Sequence, residues 1–176
     1  AQYENEYGFF GNDDEYIREL YKTMRDAGFD VPIFTCNPAY HLKVAAIPEV
    51  VKVVNFGSNP TNGFERLREV QPRGPLMCGE YYPAWFDSWG QRHHTKPAQK
   101  MLDDIDYMLS VGGSFSLYMA HGGTSFGWWA GCNSPFQPQT SSYDYEAPIS
   151  EQGRATPKFW ALRELLMKHM TAEERA

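Results

Sequence analysis

The sequence predicts an α/β fold built on a parallel sheet with helices outside it, and three observations carry that prediction. Short apolar, β-branched runs alternate with amphipathic stretches along the whole chain. Polar residues gather immediately after those runs. Of the 176 residues 42% are hydrophobic and 15% aromatic, enough for a packed core and too apolar for a disordered chain.

Taken in order, Asn12 followed three residues later by Glu15 has the pattern of a capping box, and Tyr16, Ile17, Leu20, Tyr21 and Met24 recur at helical spacing. They predict a helix over residues 13–27, ended by Gly28. VPIFTC, residues 31–36, is apolar and β-branched and runs into Asn37 and Pro38, as a buried parallel strand entering a loop does. Residues 50–56 repeat that character, and residues 57–60 break it. Phe64, Leu67 and Val70 mark a short helix over 63–70; Pro72, Gly74 and Pro75 then punctuate the chain before a brief strand at 76–79. Thr95 and Pro97 open a helix whose apolar stripe, Met101, Leu102, Ile105, Met108 and Leu109, stops at Gly112 and Gly113. Residues 114–119 form the next strand. Residues 120–153 make a loop much longer than a structural connection needs, which points to a functional segment. Thr156 and Pro157 open the last helix, with Phe159, Leu162, Leu165, Leu166 and Met170 on its inner side.

Two architectures share this alternation. A doubly wound sheet binds nucleotides through glycine-rich motifs, and neither G-x-G-x-x-G nor G-x-x-x-x-G-K-[ST] occurs here. Instead Asn5, Glu6, Asn37, Asn55, Glu80 and the residues of the 120s follow strands, at the carboxyl ends where a (β/α)8 TIM barrel holds its catalytic groups. A whole barrel takes roughly 250 residues. Residues 1–176 are therefore expected to form only the second half of such a domain, from the end of strand 4 through helix 8. The opening AQYENEYGFFG begins on a charged motif with no strand before it and lacks the basic start and apolar stretch of a signal peptide. The first half of the barrel is expected on the remainder of the same polypeptide.

Composition narrows the function classes. A formal charge of −6 offers no basic surface for phosphates, so nucleic acid is not an expected partner. No apolar run is long enough for a membrane span. Cys36, Cys78 and Cys132 lack C-x-x-C spacing, and His41, His93, His94, His121 and His169 form no H-E-x-x-H set. No metal or organic cofactor is called for. Eleven Tyr, eleven Phe and five Trp are many for this length. Most belong in the core, and the others suit a cleft that holds the apolar faces of sugar rings.

The candidate chemistry lies in two carboxylates. YENEYG (residues 3–8) places Glu6 directly after Asn5 at the end of the first strand, and GEYYPAW (79–85) places Glu80 at the end of another. Groups on separate strand ends can converge. Hydrolysis of a glycosidic bond with retention needs one carboxylate to attack the anomeric carbon and one carboxylic acid to protonate the leaving oxygen, about 5 to 5.5 Å apart. A single Glu is otherwise most simply a solvated surface charge.

Four segments, YENEYG, GPLMCGEYYPAWFDSWG (74–90), SFSLYMAHGGTSFGWWAG (114–131) and TSSYDYEAPISEQG (140–153), resemble in the same order the signature segments of glycoside hydrolase family 35. The resemblance implies a retaining, exo-acting β-galactosidase that releases terminal β-D-galactose through a covalent glycosyl-enzyme. Glu80 then matches the nucleophile, and Glu6 the acid/base. Asn5 matches a contact to the sugar 2-hydroxyl, and Tyr82 and Trp85 match cleft aromatics. Tyr118 resembles a tyrosine near the nucleophile, Tyr145 one that contacts the sugar, and Tyr143 is as well explained by packing. The implied ligand is a β-galactoside oligosaccharide or glycoconjugate. The family's exported members lean the expected compartment toward periplasm or secretion, and the chain itself does not identify one.

GGTSFG departs from the common GGTNFG, with Ser125 in place of Asn, which bears on contacts to the leaving group. Asp144 and Glu146 are expected to order the loop, and Asp87 to serve as a helix cap or structural hydrogen-bonding group. Two alternatives stay open: the same mechanism on another β-glycoside, and a non-catalytic carbohydrate-binding fragment that needs the other half barrel.

Overall fold

The apolar runs pair as the alternation predicts. In the computed structural model, which describes residues 1–44 and 47–175, strands β1 (Phe34–Pro38), β2 (Val51–Phe56), β3 (Met77–Tyr81) and β4 (Ser114–Leu117) form one sheet in the order β1-β2-β3-β4. The β1–β2 and β2–β3 pairs are parallel, and Gln2 adds a parallel bridge to Phe34. Spatial order therefore follows chain order throughout, with no reversal. The chain is α/β with a parallel sheet.

Helices α1 (Tyr7–Phe10), α2 (Asp14–Asp26), α3 (Pro60–Val70), α4 (Ala98–Ser110), α5 (Pro157–His169) and α6 (Ala172–Arg175) complete the order. The chain divides into two compact units, residues 1–81 with 110–116, and residues 82–109 with 117–176.

In the first unit, α2 buries Ile17 among Tyr3, Ile33, Ile47 and Val50, with Leu20, Tyr21 and Met24 packed around them. Asp13, not Asn12, caps this helix: its Oδ1 accepts the N–H groups of Glu15 and Tyr16, both at 3.0 Å. A carboxylate is the better partner for the positive helix end, which is why the cap falls one residue later than the Asn12–Glu15 spacing suggests. α3 starts at Pro60, earlier than the predicted residue 63, because proline is preset for the first helical position and Asn59 caps ahead of it. The strand predicted at 31–36 lies at Phe34–Pro38 instead; Pro38 is tolerated because it is the last paired residue. The strand expected before Glu6 is reduced to the single Gln2 bridge.

In the second unit, the predicted 120–153 loop contains two short antiparallel ribbons. β5 (Gly123–Thr124) pairs with β8 (Ser142–Tyr143), and β6 (Cys132–Asn133) with β7 (Gln137–Pro138). The loop closes on itself at Gly122, where any side chain would run into the carbonyl oxygen of Asp144.

Candidate active site

Within the first unit the strand ends bring polar residues together. Glu6 adopts a left-handed backbone conformation (φ 53°, ψ 30°) as the residue preceding α1. Such a conformation costs a β-carbon-bearing residue on the order of 1–3 kcal/mol and persists where neighbours over-determine it. Here the Glu6 N–H donates to the Cys36 carbonyl at 2.9 Å, and its Oε1 accepts from Asn55 Nδ2 at 2.8 Å. Asn55 is only 4% exposed. Its Oδ1 in turn accepts the Cys36 thiol.

Glu80 enters the same group through the sheet. The β2–β3 register shifts between Val54 and Asn55, so that Val54 lies opposite Cys78 and Asn55 opposite Glu80. Gly79 is the residue left over, a β-bulge. Only glycine fits there, since a β-carbon would collide with Cys36 Sγ and lie 2.7 Å from Val53 Cγ1. Both carboxylates act on the same thiol: burial, then the Glu80 charge, with a smaller contribution from Glu6, push Cys36 up to about 12. Asn5 is exposed, its Oδ1 accepting from Gln2 Nε2 at 3.3 Å.

The second unit gathers the candidate aromatic residues. Ring centroids lie 5.3 Å apart for Tyr82 and Trp85, 6.4 Å for Tyr82 and Tyr118, 5.8 Å for Trp85 and Tyr145, and 5.7 Å for Tyr118 and Tyr145. Tyr143 joins them, 5.3 Å from Tyr145 and stacked on Phe86, with its hydroxyl 3.5 Å from that of Tyr118. Tyr145 is the buried centre of the group at 2% exposure, whereas Trp85 is 39% exposed. A cleft of about 670 Å³ runs beside Trp85 and Phe86, lined also by Arg92, His93, His94 and Asn133.

Asp144, Glu146 and Asp87 hold loops. Asp144 accepts the Glu146 N–H at 2.7 Å; Glu146 accepts the Lys96 N–H at 2.6 Å and pairs with the buried Lys158 at 2.5 Å. Asp87 accepts the His94 N–H at 2.8 Å and contacts the His93 ring at 2.6 Å. Burial lowers Lys96 to about 8 against the attraction of Asp104, and its Nζ donates to the Tyr82 carbonyl at 3.3 Å. Among the described residues no cluster of three or more His, Cys, Asp or Glu could hold a metal ion, and no helix is long and apolar enough to cross a membrane.

The model of glycosyl hydrolases family 35 matches residues 1–169. This chain belongs to that family. It is 43% identical over 174 residues to the β-galactosidase of Homo sapiens, covering 96% of this chain and 26% of the relative. It is 40% identical over 173 residues to the β-galactosidase-1-like protein of Mus musculus, covering 95% and 27%. The chain thus spans about a quarter of the length of the curated relatives it matches. A crystal structure of a candidate β-galactosidase from Bacteroides fragilis superposes on 84% of this chain and 25% of its own, with a TM-score of 0.50 at 13% identity, a likeness of fold alone.

Sequence reasoning places Asn55 among the strand-end polar residues but gives it no role, and it passes over Cys36 and Gly79 as site components. Asn55 carries one usable signal, a polar residue closing the apolar run VVKVV. Cys36 carries none, since a thiol inside an apolar run reads as core.

Proposed function

We propose that this chain supplies the second half of a (β/α)8 catalytic barrel, from the end of strand 4 through helix 8, in a longer polypeptide that hydrolyses terminal β-D-galactosides with retention. Support for the barrel comes from strand order. A doubly wound sheet reverses its order at a switch point, whereas four strands in unbroken chain order, preceded by the Gln2 bridge, follow the barrel pattern.

The observation that carries the chemistry is that Glu6 and Glu80 both adjoin Asn55, one through a hydrogen bond and one as its partner across the sheet. In this reading the Glu80 carboxylate attacks C1 of the galactose while Glu6 gives its proton to the glycosidic oxygen, and the aglycone leaves as an alcohol. Glu6, now a carboxylate, then takes a proton from water, which attacks C1 and frees Glu80. Asn5 holds the 2-hydroxyl, and Tyr82, Trp85, Tyr118 and Tyr145 line the sugar site. These roles rest on the family resemblance, and for the aromatic set also on the way the four rings cluster. The relatives' names favour galactose as the released sugar.

The test uses the full-length protein and nitrophenyl β-glycosides. We expect hydrolysis of the galactoside in preference to the glucoside and the N-acetylglucosaminide. Glu80→Gly should abolish turnover, and added azide should restore it with formation of a galactosyl azide. Retention of most of the rate in Glu80→Gly, with no response to azide, would refute the assignment.

A further inference from the structure

We infer that Asn55 is a positioning residue for the acid/base, fixing which oxygen of Glu6 carries the transferable proton, and that the Cys36 thiol sets the direction of the Asn55 amide. The inference rests on the assignment of Glu6 as proton donor.

Donor and acceptor chemistry decides which way the Asn55 amide points. An asparagine amide presents an NH2 donor on one side and a carbonyl acceptor on the other, and either orientation fits the same space. In this site one end faces the Cys36 thiol and the other faces Glu6 Oε1 at 2.8 Å. Cys36 is 1% exposed and its thiol stays protonated, because burial and the neighbouring carboxylates oppose a thiolate. A protonated thiol has one hydrogen to give, so Oδ1 turns toward sulfur and Nδ2 turns toward Glu6. With Oε1 occupied as an acceptor, the acid proton of Glu6 sits on Oε2. Asn55 has no freedom to drift: it is held in β2, 4% exposed, opposite Glu80 in the sheet. The left-handed backbone of Glu6, anchored by its N–H to the Cys36 carbonyl, fixes the carboxylate from its other end. One residue, Cys36, thereby holds Glu6 through its backbone and through the Asn55 side chain. Orientation of the proton matters only when the leaving group needs it, and that supplies a readout that a purely structural role would not move.

The experiment measures kcat/KM of the full-length protein on 2,4-dinitrophenyl β-galactoside, whose leaving group departs without protonation, and on methyl β-galactoside, whose leaving group does not. General acid catalysis contributes on the order of 10²–10⁴-fold. Asn55→Ala should forfeit part of it: a loss of roughly tenfold or more on the methyl substrate, with the dinitrophenyl substrate within about threefold of wild type. The dinitrophenyl rate also reports whether the site has folded. Cys36→Ala should show the same split in weaker form, and Cys36→Ser, which keeps a donor, should restore the methyl rate. Equal losses on both substrates, or no loss on either, would overturn the role of Asn55, and identical behaviour of Cys36→Ala and Cys36→Ser would overturn that of the thiol. Glu6→Ala run in parallel separates the two levels of the argument. If it lacks the split, the proton-donor assignment itself fails; if it shows the split and the Asn55 variants do not, only the positioning role fails.

Discussion

Gly79→Ala is expected to damage both stability and turnover, through one added methyl group. Its β-carbon would collide with Cys36 Sγ, lie 2.7 Å from Val53 Cγ1 and lie 3.1 Å from Asn55 Oδ1. Carbon atoms in ordinary contact sit about 3.5–4.0 Å apart, so Val53 alone must retreat by roughly 1 Å. Neither it nor Cys36 can move into solvent: each is 1% exposed, and they stand on adjacent strands held by the ladder. Overpacking of this kind costs typically 1–3 kcal/mol, and two rigid neighbours put this case near about 2–3 kcal/mol. Over a whole barrel of roughly 250 residues, at about 2.1 cal/mol/K per residue, that corresponds to a fall in Tm of roughly 4–6 °C. The contact with Asn55 Oδ1 also pushes on the amide that holds Glu6, so kcat/KM on methyl β-galactoside should fall more than that on the dinitrophenyl substrate. Thermal unfolding by circular dichroism and the two rates are the assay. Gly123→Ala, where an added β-carbon meets nothing within 4 Å, is the matched control. A Gly79→Ala protein melting within about 1 °C of wild type with unchanged rates on both substrates would refute the close packing inferred at the bulge.

Ile17 is fully buried in the cluster that joins α2 to the sheet, so Ile17→Ala should cost about 2–5 kcal/mol in urea unfolding; a change below about 1 kcal/mol would contradict that packing. Iodoacetamide at pH 8 should label the exposed Cys132 and spare Cys36 and Cys78, which are buried and whose thiols are pushed up, Cys36 to about 12; peptide mass spectrometry showing equal labelling of Cys36 would sink this. The hydrogen bond to Asp87 raises His93 above its ordinary value of 6.5. Since the folded value is the higher one, the stabilisation is complete below pH 6.5 and is lost as pH rises through the folded value. An NMR titration should show His93 above 6.5 in the wild type and lower in Asp87→Asn, and an unchanged His93 in that variant would argue against the pairing.

Sheet and helices are legible because their signals are local. Ile17, Leu20 and Met24 recur on one helical face, and VVKVVNF is a strand whatever surrounds it. The cap at Asp13 differs by one residue from the sequence pattern because Asn12 and Asp13 are both good capping residues, and the choice between them depends on charge at the helix end. The ribbons β5–β8 and β6–β7 are invisible in the sequence, since pairs of two residues held by a loop's own turns have no periodicity to detect. Glu6 and Glu80 stand out in the sequence through the segments around them. The link between them does not, because Asn55 lies 49 residues from Glu6 in the chain and meets it only through the folded sheet.

That link depends on one local irregularity. In an uninterrupted parallel ladder, the pairing of Val54 with Cys78 would set Asn55 opposite Gly79 and Phe56 opposite Glu80. Successive side chains on a strand point to opposite faces, so Glu80 would then share the face of Phe56, whose ring packs 5.8 Å from Phe64 of α3. A carboxylate on that side would be driven into the apolar layer between sheet and helix, at a cost of several kcal/mol or with its charge lost. The extra residue at Gly79 moves Glu80 across the sheet to the face of Asn55, where Glu6 also arrives. The same extra residue must be glycine, because the turn of the strand brings its backbone against Cys36 and Val53. The Gly-Glu pair at positions 79 and 80 is thus a single device: the extra residue, a glycine, sets the register that brings Glu80 opposite Asn55.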